Sequence, residues 1–170
     1  MPRHLLALAA VLITTPAARA QDMPLSQILI DGEGWKKSLG TQPPELPTTT
    51  TSPDGSTTFT WRPECEGFVY AKQAKSDPSN PFMPYCPLRV KRGEKPSVTA
   101  LLTDKDGRIY AATPLGVQVF DPTGRLCGVL APTETGPATA MAFVGDTLVV
   151  WVDEARYARK LKTSGTAGKK

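Results

Sequence analysis

Histidine is nearly missing from this chain: His4 is the only one in 170 residues. It lies in a stretch that reads as a removable leader, so the mature chain has no imidazole. That excludes Ser-His-Asp and Cys-His catalysis and any histidine-ligated zinc site. Asparagine is equally scarce, with Asn80 alone. The cysteines are three, Cys65, Cys86 and Cys127. An odd number in an exported chain leaves at least one unpaired within the molecule. Cys65 to Cys86 is the bridge the sequence favours, because both lie in loop-like sequence while Cys127 sits among Leu126, Val129 and Leu130. A nucleophilic cysteine is not expected, since no base is at hand to activate a thiolate. No apolar run reaches the roughly 20 residues of a membrane span.

The first twenty residues have the order of a secretory signal peptide. Arg3 and His4 make a basic start, Leu5 to Ile13 an apolar run, and Ala18-Arg19-Ala20 a small-residue end. Cleavage after Ala20 is expected, with a periplasmic or extracellular destination. The leader removes Arg3 and Arg19 and no acid, lowering the formal charge from +4 to about +2. A balance so near zero points to no charged partner. Residues 21–52 read as an N-terminal segment and linker. Within it Gly40 to Pro53 holds Pro43, Pro44, Pro47 and the run Thr48 to Thr51, a composition of stiff linkers. Residues 163–170 are small and basic and read as a disordered tail.

Between these limits, 53–162, one local pattern occurs three times. Pro53-Asp54-Gly55 precedes Ser56 to Phe59, Asp106-Gly107 precedes Arg108 to Tyr110, and Gly145-Asp146 precedes Thr147 to Val150. Asp-Gly favours the left-handed dihedrals of hairpin turns, and strand-forming residues follow each time. A second strand trails each turn, at Phe68 to Tyr70, Val117 to Phe120 and Arg156 to Ala158. The turn aspartates are 52 and 40 residues apart. Repeats of that size made only of short strands mark propeller blades. The middle unit predicts four strands, Val98 to Leu102, Arg108 to Ala112, Gly116 to Phe120 and Leu126 to Leu130. A small β-sandwich would also show short strands at such spacing. The restart of the repeat at Ala138 favours an all-β partial propeller of two to three four-stranded blades.

The stretch Ile109-Tyr110-Ala111-Ala112-Thr113-Pro114-Leu115-Gly116-Val117-Gln118-Val119-Phe120-Asp121-Pro122-Thr123-Gly124-Arg125 resembles a blade of the senescence-marker-protein/gluconolactonase family, also called regucalcin-like. The resemblance covers about 53–162 and is strongest over 99–130. It implies a six-bladed ring that hydrolyses lactones with one divalent metal, usually calcium. Oxygen ligands from a glutamate, asparagines and an aspartate hold that metal, which polarises the carbonyl and activates water.

Carried over position by position, the ligands are not found. The family's blade opens on Asp-Gly, then three residues, a second Asp, and a turn glycine three places further on. Aligned on Asp104, Gly107 and Tyr110, this chain has Thr99-Ala100 in the Asp-Gly place and keeps only the non-ligand Asp104. Asn80 cannot supply two ligands. The glutamate has two distant candidates, Glu33-Gly34-Trp35 and Glu66-Gly67-Phe68, both departing from the family's Glu-Gly-Pro. Three blades also make only half of such a ring, which leaves strand edges open.

Other candidates read as structure. Asp31-Gly32-Glu33-Gly34 has the spacing of a calcium-loop fragment, but Trp35 stands where an oxygen ligand belongs. Asp104 and Asp106 flank a turn that explains them. Arg89, Lys91, Arg92 and Lys95 alternate with Leu88 and Val90 as the solvated face of a strand rather than a nucleic-acid surface. Trp61, Trp151, Tyr70, Tyr110 and Tyr157 fall mostly on strands and read as core rather than as a sugar platform. The sequence names no catalytic residue, no metal ligand and no cofactor, and no nucleic acid or membrane insertion. It points to a shortened, non-catalytic interaction module, with contacts to a second copy or another propeller chain through open blade edges. The alternative is a metal-dependent lactone hydrolase completed by oligomerisation, which would use calcium or another divalent metal.

Overall fold

The computed structural model describes residues 23–39, 47–132 and 136–166. The expected leader and the stretch 167–170 lie outside the described residues, as do 40–46 of the expected linker. The middle repeat shows why the chain folds as it does. Strands β6 (Ala100–Thr103), β7 (Ile109–Thr113), β8 (Gly116–Phe120) and β9 (Leu126–Leu130) form one antiparallel sheet in chain order. The β6–β7 turn needs Gly107 at φ +86, and the β8–β9 turn needs Gly124 at φ +84, a region L side chains avoid. Both faces of β7 and β8 are buried, which accounts for their near-continuous apolar sequence.

Two further four-stranded sheets flank it. Blade 1 is β2 (Thr49–Thr51), β3 (Thr57–Thr60), β4 (Phe68–Gln73) and β5 (Met83–Pro87). Blade 3 is β10 (Ala138–Val144), β11 (Thr147–Val152) and β12 (Ala155–Lys160), with β1 (Lys36–Leu39) paired outside β12. The inner strands β2, β6 and β10 neighbour one another. The three sheets are consecutive blades of an unclosed propeller.

Each pair of blades has its own core. Phe59, Val69, Ala71 and Cys86 of blade 1 meet Leu101, Ile109, Ala111 and Phe120 of blade 2. Tyr110, Val117 and Val119 of blade 2 meet Met141, Leu148, Val150 and Tyr157 of blade 3. Ile28, 1% exposed, joins this second core from a short 3-10 turn at Leu25–Gln27. At roughly 25 cal/mol per Å² of apolar surface removed from water, these two layers supply the main driving force.

Three expectations are corrected. Thr49–Thr51, read as linker, is the inner strand of blade 1, paired with β3. The tail read as disordered is ordered at its start: Thr163 is 2% exposed, and Lys105 and Thr166 N–H groups donate to the carbonyls of Ser164 and Thr103. Leu88 to Arg92 is not a strand. There the N–H of Arg89 donates to Gln118 Oε1 at 2.8 Å and Gln118 Nε2 donates to the Arg89 carbonyl at 2.7 Å. A buried side-chain amide on β8 thus takes the place of a neighbouring strand. Among the described residues no helix is long and apolar enough to cross a membrane.

Candidate functional site

In the family that the sequence resembles, the metal-binding aspartate would stand at the start of the inner strand β6, where this chain has Thr99. Thr99 cannot replace it. Its hydroxyl donates to the Ala138 carbonyl at 2.7 Å, tying the inner strands of blades 2 and 3. Asp104 lies at the other end of β6, by the turn to β7. Glu33 lies ahead of the outer strand of blade 3, 3.2 Å from Lys36 Nζ. Glu66 is exposed in the β3–β4 loop of blade 1, and Asn80 in the β4–β5 connection. The fold brings none of these together. Among the described residues no three His, Cys, Asp or Glu side chains could hold a metal ion. The residues therefore do not fit a divalent cation of the lactonase kind.

The carboxylates that the fold does gather serve turns. Asp104 is fully buried. Its Oδ1 accepts from the backbone N–H groups of Asp106 and Arg108 at 3.0 and 2.9 Å. Its Oδ2 accepts from Arg108 Nη1 at 3.3 Å and from the Tyr110 hydroxyl at 3.0 Å. Burial, and then the neighbouring Asp104 charge, push the Tyr110 hydroxyl far above its ordinary range. Arg108 reaches onward, Nη2 donating to Gln27 Oε1 at 2.9 Å. Asp106 Oδ2 accepts from Thr163 Oγ1 at 3.1 Å. The Lys105 ammonium, then Thr163 and Arg108, hold the Asp106 carboxyl below its usual value.

The β8–β9 turn repeats the device. Asp121-Pro122-Thr123-Gly124-Arg125 matches Asp104-Lys105-Asp106-Gly107-Arg108, and Asp121 accepts from the N–H groups of Thr123 and Arg125 and from Arg125 Nε. Burial alone would raise the Asp121 carboxyl, but the hydrogen bonds from Thr123 and Arg125 outweigh it and lower it. Asp54 in blade 1 is held at about 2 by the Ser52 hydroxyl and the Ser56 N–H. These are Asx-type turns, with no carboxylate poised as a general acid.

The cysteines offer no nucleophile. All three are free thiols, so the expected Cys65–Cys86 bridge is absent. Cys86 sits on β5 opposite Val69, inside the core between blades 1 and 2. Burial raises both the Cys86 and Cys127 thiols, the reverse of activation. Of the five aromatic residues singled out from the sequence, Tyr110, Tyr157 and Trp151 are buried, whereas Trp61 and Tyr70 are half-buried. Arg89, Lys91, Arg92 and Lys95 are exposed, with Lys91 3.9 Å from Glu94.

Open clefts lie away from the inner strands. One of about 460 Å³ runs along blade 1, walled by Ala71, Met83, Tyr85, Lys72 and Asn80. A second, about 360 Å³, lies at the turn end of blades 1 and 2 and shares Thr57 and Tyr85 with it. The sequence reading missed Tyr85, whose ring packs against Phe59 and whose hydroxyl donates to the Pro122 carbonyl at 2.6 Å. An aromatic between two prolines carries no periodicity that could have marked it.

No protein-family model matches the chain, and no curated protein matches it. Solved structures do. A gluconolactonase of Xanthomonas campestris superposes with a TM-score of 0.55 at 18% identity, covering 68% of this chain and 37% of its own. A candidate gluconolactonase from a structural-genomics programme gives 0.50 at 18% identity, covering 71% and 40%. The fold is similar to part of these propellers. The chain spans about two fifths of the length of these structures. At this identity the likeness is one of fold, and the site chemistry has to be read from the residues above.

Proposed function

We propose that the chain is an exported, non-catalytic half propeller of gluconolactonase type that acts by binding another molecule. One observation carries the reading: the position of the metal-binding aspartate holds Thr99, whose hydroxyl is engaged with the Ala138 carbonyl. The supports are consistent with it. The buried carboxylates are committed to turns, the Cys86 and Cys127 thiols are raised rather than activated, and the only histidine is His4, in the expected leader. Export rests on the order of charge, apolar run and small residues from Arg3 to Ala20. Contacts to another chain would use blade surfaces that this chain does not bury itself.

The alternative, a lactone hydrolase completed by a second copy, draws on the two-fifths coverage of the larger gluconolactonase structures. The two readings part in one assay. The purified chain is expected to leave a sugar lactone at its spontaneous rate of hydrolysis, with or without calcium and chelator. Hydrolysis above that rate, abolished by a chelator, would establish the alternative.

A further inference from the structure

In a propeller each blade buries both faces, one against the preceding blade and one against the next. The register shows which residues face backwards. In blade 2 they form two cross-strand rows, Leu101, Ala111 and Gln118, then Thr103, Ile109 and Phe120. Leu101, Ile109, Ala111 and Phe120 are in the core against blade 1. In blade 3 the rows are Met141, Val150 and Tyr157, then Phe143, Leu148 and Arg159, and most of them are in the core against blade 2. Backward faces that meet a blade are thus largely apolar.

Blade 1 breaks the pattern. Thr50 meets Thr103 of blade 2, and Phe59 and Ala71 lie in the core against blade 2, so their strand neighbours point away from it. The same two rows there are Thr49, Thr60 and Tyr70, then Thr51, Thr58 and Lys72. Where blade 2 has Leu101, Ile109 and Phe120, blade 1 has Thr49, Thr58 and Lys72. Thr49 and Thr51 are exposed, Thr58, Tyr70 and Lys72 are half-buried, and Thr60 is buried. The Thr49 and Thr60 hydroxyls satisfy each other at 2.9 Å, and Lys72 Nζ donates to the Pro78 carbonyl at 2.8 Å. The Lys72 ammonium has three donors, of which the Pro78 carbonyl takes one, so closing another blade over it would strip water from a charge. Terminal repeats of stacked folds carry such polar outer faces.

We infer that blade 1 is an end cap: its backward face is built for water, and a second copy of this chain does not continue the ring there. The inference concerns assembly, and it holds whether or not the chain turns over a lactone. It also bears on the strand edges, because β5 carries Pro84 and Pro87 and β1 carries Lys36 and Lys37 at the outer borders, residues that oppose edge pairing.

Light scattering behind size exclusion, over a range of concentrations, tests it. The native chain is expected at the mass of one copy throughout. The fivefold variant Thr49→Leu, Thr58→Ile, Thr60→Ala, Tyr70→Gln, Lys72→Phe gives blade 1 the backward face of blade 2. It is expected to shift to two copies or more as concentration rises, since a contiguous apolar face of this kind drives association. Lys72→Phe alone, read beside it, is expected to associate more weakly and guards against a fivefold variant that does not fold. The inference is overturned by a native dimer that Lys72→Glu reduces to single chains. It is overturned equally by folded variants that stay single at every concentration.

Discussion

Asp104 and Arg108 are the residues on which the middle of the molecule turns. Both are buried, at 0% and 4% side-chain exposure. Together they join the β6–β7 turn to Gln27 of the N-terminal segment, and Asp106 beside them joins it to Thr163 of the C-terminal segment. Removing one partner of a buried pair costs about 3–5 kcal/mol when the other charge is left bare, and the low end of that range applies here because Asp106 Oδ2 still stands 3.3 Å from Arg108 Nη1. Asp104→Ala also strips the acceptor from two backbone N–H groups. It is expected to lower the unfolding free energy, read from the denaturant midpoint and slope, by an amount in that range, whereas Lys105→Ala, which touches an exposed pair, should barely move it. An Asp104→Ala chain as stable as the native one would show that the network is incidental. Asp104 and Asp106 were legible in the sequence as turn residues, because a glycine follows at the position that needs positive φ. The reach of Arg108 to Gln27 and of Asp106 to Thr163 was not, because partners 81 and 57 residues distant leave no local signal.

Among the elements, β1 has a role its sequence conceals. It supplies the fourth strand of blade 3 from the other end of the chain, pairing Lys36 to Leu39 with Ala158 to Ala155, while Ile28 fills the core below. A chain beginning at Pro47 would leave the β12 edge open and vacate the Ile28 site. Followed by far-ultraviolet circular dichroism, it is expected to lose the cooperative thermal transition predicted for the full chain. An undiminished transition would mean that β10, β11 and β12 stand without it. The four strands of blade 2 were readable to within two residues at each end, because their alternation and their Asp-Gly and Pro-Thr-Gly turns are local. Strands β1 and β2 were not. Lys36-Lys37-Ser38-Leu39 has no period-2 pattern, and Thr48 to Thr51 has the composition of a linker. Leu88 to Arg92 failed in the opposite sense: it alternates, yet its partner is the single amide of Gln118 rather than a strand.

For the molecule as a whole, two observations converge. The chain folds like part of two gluconolactonase structures, of whose length it spans about two fifths, and among the described residues no three His, Cys, Asp or Glu side chains could hold a metal ion. That Thr99 stands where the family resemblance implies an aspartate is a reading of the sequence alone, since one aligned blade motif places it. The hydroxyl's engagement with Ala138 could not be read there, because it depends on how blade 3 stacks. Thermal unfolding of the purified chain with and without millimolar calcium tests the central claim most directly, since a ligand that binds only the native state must raise the midpoint. The account predicts one cooperative transition at the same temperature in both conditions. A midpoint that climbs with calcium concentration would show a metal site formed by the native fold and would contradict it.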